Sequence, residues 1–115
     1  MAIIRKQDMK PQKIEAEGLK NVTKTTAVGP SSGWNGWVMR IFSLDMDGCT
    51  PRHSHGWDHV NYIIEGRGTL FLEGKENPVS AGDTAFIPAG EVHQFKNTGD
   101  KTFSFICIVP EEGDK

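Results

Sequence analysis

The sequence predicts an all-β fold, a sandwich or barrel of short strands, and three observations carry that expectation. Thirteen glycines and six prolines punctuate apolar runs at roughly 8–12-residue spacing, the habit of sheet proteins with tight turns. The runs are rich in β-branched and aromatic residues and alternate with period two, most clearly over Thr102 to Val109. No segment carries a helical period of useful length. A chain of 115 residues suffices for one domain over positions 1–115, with a core that needs no disulfide staple.

Ile3 to Ile14 mixes charges with little periodicity, and an edge strand or packing on a partner is expected there. Thr23 to Val28 is β-branched enough for a strand, and Gly29-Pro30-Ser31-Ser32-Gly33 breaks the chain before Trp34. Trp37 to Leu44 is a stronger strand, turned by Asp45-Met46-Asp47-Gly48, after which Pro51 leads into a run of histidines. Val60 to Glu65 and Thr69 to Glu73 read as a hairpin pivoting on Gly66 and Gly68. A lone GxG is far more often a tight turn than a phosphate site. Gly74 to Asn77 reads as a polar turn, Pro78 to Ser80 as a short strand, and Thr84 to Pro88 as the next one. Pro88-Ala89-Gly90 bends the chain so that Glu91 to Lys96 runs out as a strand. In the last strand Phe103, Phe105, Cys107 and Val109 share one face, and Ser104, Ile106 and Ile108 the other. Both faces are largely apolar, so a second sheet or another subunit must cover them. The tail from Glu111 is expected to be solvated and frayed.

A net charge of -2 gives no basic footprint, which argues against nucleic acid or an anionic membrane as a partner. Met1 to Lys6 lacks the apolar core of a signal peptide, and no apolar run approaches the ~20 residues of a membrane span, so a cytoplasmic location is expected. Cys49 and Cys107 form no CxxC pair and read as reduced thiols.

All four histidines of the chain fall between Gly48 and Asn97. His53, His55 and His59 lie in one short run, with His53 and His55 expected on the same face of one strand, and His93 follows beyond a hairpin. Imidazole is the commonest protein ligand for borderline metals, and inward positions of a barrel are where distant strands bring such rings together. Any one of these histidines alone reads as a satisfied polar residue; the four together read as a ligand set. The chain's other candidates are Arg40, Phe105 and Cys107. Parity turns Cys107 toward the same cavity as Phe105, or else Cys107 is a small core hydrophobe, while Arg40 either faces inward to steer an anion or outward as a surface charge. Trp34, Trp37 and Trp57 either rim the site or merely pack.

The run Gly82-x5-Pro88-x-Gly90-x2-His93-x3-Asn97 matches the second motif of the cupins position by position, and Gly48-x4-His53-x-His55-x3-His59-x6-Gly66 resembles the first. Two departures mark the first motif (48–66): one residue fewer before His53, and His59 where most members carry glutamate. The second motif occupies 82–97. The resemblance implies a double-stranded β-helix, or jelly-roll barrel, usually a homodimer, with a metal inside. It is similar to a subset of small single-domain cupins with four histidines, some of which hold manganese. Imidazole by itself suits iron, nickel, zinc and copper as well.

Four neutral ligands leave an ion its full +2 charge, which favours anionic ligands and acidifies bound water. An octahedral ion on four rings keeps two positions for a substrate, whereas tetrahedral zinc would be closed and structural. The expected function is a dioxygenase-like metal-dependent oxidoreductase acting on a small unsaturated or aromatic molecule; the alternatives are a non-redox lyase or isomerase that polarises a carbonyl and a non-catalytic binder of a small ligand.

Overall fold

Alternating burial along the chain resolves into nine antiparallel strands among the described residues of the computed structural model, 2–114. They are β1 (Gln12–Ile14), β2 (Lys20–Val28), β3 (Trp37–Cys49), β4 (His59–Glu65), β5 (Arg67–Leu72), β6 (Lys75–Ser80), β7 (Thr84–Ile87), β8 (Gln94–Lys96) and β9 (Phe103–Pro110). The described residues contain no α-helix, as the missing helical period implied. The hydrogen-bonded order is β6-β5-β8-β3-β9-β4-β7, with β2 also on β3 and β1 on the edge of β2. The long β3 is the shared spine. It pairs β9 from Trp37 to Leu44 and meets β8 at Cys49 and Lys96, curling the sheet around one interior as a jelly roll does.

That interior holds Val22, Leu44, Ile63, Leu70, Ile87, Phe95, Phe103 and Phe105. In β9 the parity expected from the sequence holds: Phe103, Phe105, Cys107 and Val109 are at most 3% exposed. Ser104, on the opposite face, is also buried, and its hydroxyl bonds Ser43 and Glu65. Val60, Tyr62, Ile64 and Phe86 stand outward on β4 and β7 and remain substantially exposed. Val60 and Tyr62 are registered against Ile108 and Ile106 of β9, so the outer face is one apolar patch.

Several expected elements differ. The hairpin expected around Gly66 does not form: β4 pairs β7 and β9, whereas β5 pairs β6 and β8. Gly66 is where the chain passes from β4 to β5 at opposite parts of the one curled sheet. Its φ is 77°, and a Cβ would collide with the Thr102 carbonyl oxygen, so only glycine passes there. The actual hairpin joins β5 to β6 through Glu73 and Gly74, both left-handed, as a two-residue turn demands. Asp45 to Gly48 bulges rather than turns. Val22 pairs Leu44 while Lys20 pairs Cys49, leaving four residues opposite Asn21, whose side-chain amide donates to the Met46 carbonyl at 3.1 Å. The tail is not frayed through residue 114, since Glu111–Asp114 forms a 3-10 turn folded back on the barrel; Lys115 lies outside the described residues.

Candidate metal centre

His59 is the first residue of β4 and registers against Ile87 of β7. The other three histidines sit where strands have ended. His53 and His93 face each other across an isolated bridge, with His53 N donating to His93 O at 3.1 Å and His93 N to His53 O at 2.9 Å. No strand carries both His53 and His55, and no strand begins before Gln94 on the His93 side. Pro51 supplies no amide to a ladder, which accounts for the irregular path before His53. Two more bonds stitch this segment to the loop after β7: Gly90 N donates to His55 O at 2.7 Å, and Ala89 N to Asp58 Oδ1 at 2.8 Å. The two motif segments are therefore clamped backbone to backbone.

Clamping brings the rings together. His53 lies 4.2 Å from His55 and 4.9 Å from His93, centroid to centroid, and His59 lies 4.8 Å from His93 and 5.8 Å from His55. One nitrogen from each of His53, His55 and His93 falls within 4.8 Å of the other two. His59 stands slightly apart from this trio. Its Nδ1–H donates to Asn61 Oδ1 at 2.8 Å, which leaves the lone pair on Nε2; that nitrogen is buried without a hydrogen-bond partner. His93 is fixed likewise, its Nδ1–H donating to the Glu91 carbonyl at 2.9 Å. A hydrogen bond behind one ring nitrogen sets the tautomer that aims the other at a metal.

All four imidazoles are held neutral. Burial pushes His55 and His59 down to about 4, helped at His55 by the neighbouring rings, while the bond to Asn61 partly opposes the shift at His59. Burial also lowers His53, with His93 adding to it, and lowers His93. Neutral rings are competent ligands near pH 7 with no proton to release. The donor set thus fits a borderline divalent ion, and the unpartnered His59 Nε2 is the kind of buried acceptor that costs about 1–3 kcal/mol unless something binds it.

These rings form one wall of a cavity of about 210 Å³. Arg40, Phe105 and Cys107 all line it, so Arg40 faces inward. Phe105 stacks on Phe95 at 4.0 Å and on Phe42 at 5.6 Å, and all three line the cavity as an aromatic surface. Cys107 Sγ sits 3.6 Å from His59 Nδ1 and 3.1 Å from Arg40 Nη2. Of the tryptophans only Trp57 joins the site, stacked on His55 at 4.8 Å with planes 6° apart; Trp34 and Trp37 stack on each other, half exposed. Sequence reasoning missed Asn61, although its place two residues after His59 on one strand puts both on the inward face. It also missed Lys24 and Asp114, whose pairing only the fold creates.

The cupin-domain family model matches residues 41–109. Among curated proteins, the oxalate-binding protein of Thermotoga maritima is 36% identical over 58 residues, covering 50% of this chain and 48% of that protein. The polyketide synthase CurC of Streptomyces cyaneus is 26% identical over 101 residues, covering 86% of this chain and 62% of that one. The chain spans about half the length of the curated relatives it matches. Among solved structures, the polyketide cyclase RemF from Streptomyces resistomycificus superposes with a TM-score of 0.89 at 30% identity, over 96% of this chain and 79% of that one. A predicted oxalate decarboxylase from Thermotoga maritima gives a TM-score of 0.86 at 26% identity, over 95% of this chain and 98% of that one. The matched span contains both histidine segments and the strands that clamp them, and on that ground the chain belongs to the cupin family.

Proposed function

We propose that this cupin is a metal-dependent enzyme in which His53, His55, His59 and His93 hold one divalent ion, and that the adjoining cavity activates an enolisable carbonyl compound with an apolar body. The observation that carries this reading is the meeting of four neutral imidazoles in a cavity that is also lined by stacked aromatic rings. When bound, the ion supplies Lewis-acid polarisation of a carbonyl oxygen. The chain's own residues do the rest. Asn61 and the Glu91 carbonyl hold two ligand rings in the ligating tautomer, Phe42, Phe95 and Phe105 exclude water and stack a flat substrate, and Arg40 adds fixed positive charge. RemF and CurC are by name proteins of polyketide chemistry, and a polyketide is a chain of enolisable carbonyls. Manganese is the ion the resemblance favours; imidazoles also suit iron, nickel, zinc and copper, and raw affinity alone favours copper or nickel.

A metal-dependent oxidoreductase, dioxygenase-like, is the second reading. It is favoured by a ligand set that carries no carboxylate to neutralise the ion, beside an apolar cavity suited to an unsaturated substrate. Elemental analysis and electron paramagnetic resonance of protein purified without added metal test the shared part, and a preparation without a stoichiometric ion overturns both readings. With a panel of 1,3-diketones and alkenyl phenols, deuterium exchange at the α-carbon faster than the protein-free rate and without oxygen consumption supports the first, and oxygen uptake the second. Neither event would leave a non-catalytic binder.

The proposal also takes 1–115 as a single domain that pairs through the outward patch of Val60, Tyr62, Ile64 and Phe86 into a homodimer. Two unpaired thiols suit a cytoplasmic location.

A further inference from the structure

The proposed carbonyl chemistry takes from one corner of the cavity only the fixed charge of Arg40 and leaves Lys24 without a task. Lys24 on β2 and Arg40 on β3 line that corner with side chains only 23% and 13% exposed. Two half-dehydrated cations side by side repel each other and call for an anion. The anion present is the Asp114 carboxylate, whose Oδ1 lies 2.8 Å from Lys24 Nζ and 3.6 Å from Arg40 Nη1. Its fit is incomplete. Asp114 Oδ1 makes no directed hydrogen bond, and the buried Arg40 Nε has no partner, so the guanidinium fork offers more than this carboxylate uses. The corner adjoins the imidazoles, because a single thiol, Cys107, touches both Arg40 and His59.

Asp114 is delivered by the Glu111–Asp114 turn. Glu111 N donates to Gly36 O at 2.8 Å, and Gly36 N donates to Glu111 Oε1 at 3.2 Å. Gly113 lies flat on Trp57, where a Cβ would come within 2.7 Å of the indole Nε1. Trp57 in turn stacks on His55. The cavity enclosed in this way, about 210 Å³, is smaller than the roughly 300–1,000 Å³ of ordinary ligand pockets.

We propose that Lys24 and Arg40 are the carboxylate-recognising residues for the substrate of this site, and that Asp114 is an internal occupant which the substrate's carboxylate displaces. The proposal rests on reading the cavity as a substrate site, and it narrows the substrate class to a carbonyl compound carrying a carboxylate at one end. A tethered carboxylate competes at an effective concentration on the order of millimolar. Simple carboxylates are therefore turned away, and only a molecule that also anchors beside the imidazoles opens the corner.

Acetoacetate and acetylacetone share one methyl ketone and an α-methylene and differ at the other end, a carboxylate in the first and a second methyl ketone in the other, which makes them the probes. Their binding, and that of inorganic phosphate, is measured by calorimetry on the full chain both as purified and after chelation, with the ion content of each sample determined separately. Asp114→Asn should tighten acetoacetate about tenfold, Lys24→Met should weaken it by a similar factor, and Lys24→Arg should restore it, as expected for one charge-assisted contact. Acetylacetone should not respond to any of the three. Acetoacetate should also speed hydrogen exchange at the Glu111 amide in the unmodified protein. Unchanged acetoacetate affinity in Asp114→Asn, parallel shifts for acetylacetone, or tighter binding of phosphate than of acetoacetate overturns the proposal. A missing ion tells only against the metal reading, because the charge dependence is read independently in the chelated protein.

Discussion

Asn61 is the sharpest single test of the proposed metal centre. Its side chain is 1% exposed, and its Oδ1 accepts the His59 Nδ1 proton at 2.8 Å. Asn61→Leu keeps the volume and removes the acceptor. The Cys107 thiol, 3.6 Å from the same nitrogen, is a poor substitute. The buried N–H is left without a strong partner, a loss of about 1–3 kcal/mol, and the ring is free to adopt the tautomer with its lone pair on the wrong side. Outer partners of metal-bound histidines are worth about 10–100-fold in metal affinity, equivalent to about 1.4–2.7 kcal/mol. The assay is competition for the ion against a chelator of known affinity. Nitrogen-15 spectra of the His59 ring in chelated protein provide a readout independent of the metal. An unchanged metal affinity, with the His59 proton still on Nδ1, would refute the argument that Asn61 orients this ligand.

Three other outcomes follow from the structure. In the metal-free protein the four histidines take up protons later than the usual 6.5 of an unfolded chain, with His55 and His59 near 4. Their contribution makes stability greatest above about pH 6.5, falling as pH drops toward 4 and levelling below that, because the unfolded chain binds the protons first; urea midpoints that stay flat from pH 7 to 4 would contradict this. Phe105→Ala removes a ring that is 2% exposed and stacked on Phe95, and should cost about 3–5 kcal/mol in urea unfolding, against an expectation of under 1 kcal/mol if the aromatic wall were loosely packed. Tyr62→Lys combined with Phe86→Glu alters residues 44% and 57% exposed, so sedimentation should show dimer giving way to monomer with the melting curve of the monomer intact; an unmodified protein that sediments as monomer removes the dimer.

The sequence by itself determined the strand content, the burial parity of β9, and which residue types were available to a metal. Those are local properties: period-two alternation, turn residues and the confinement of four histidines to two short motifs depend on neighbours a few positions away. It misjudged elements whose outcome depends on distant backbone. Gly66 reads as a hairpin pivot from its flanks, yet the Thr102 carbonyl is packed against it and the strands on either side of it take different partners. Asp45 to Gly48 reads as a turn until Asn21 of β2 opposes it. The tail reads as solvated because nothing in its own sequence announces Lys24 and Arg40 as partners. Only the tertiary structure decided how the imidazoles meet, through the bridge between His53 and His93, and which way Arg40 points. Pairings across tens of residues are chosen by the closure of the whole sheet, and no local pattern encodes that choice.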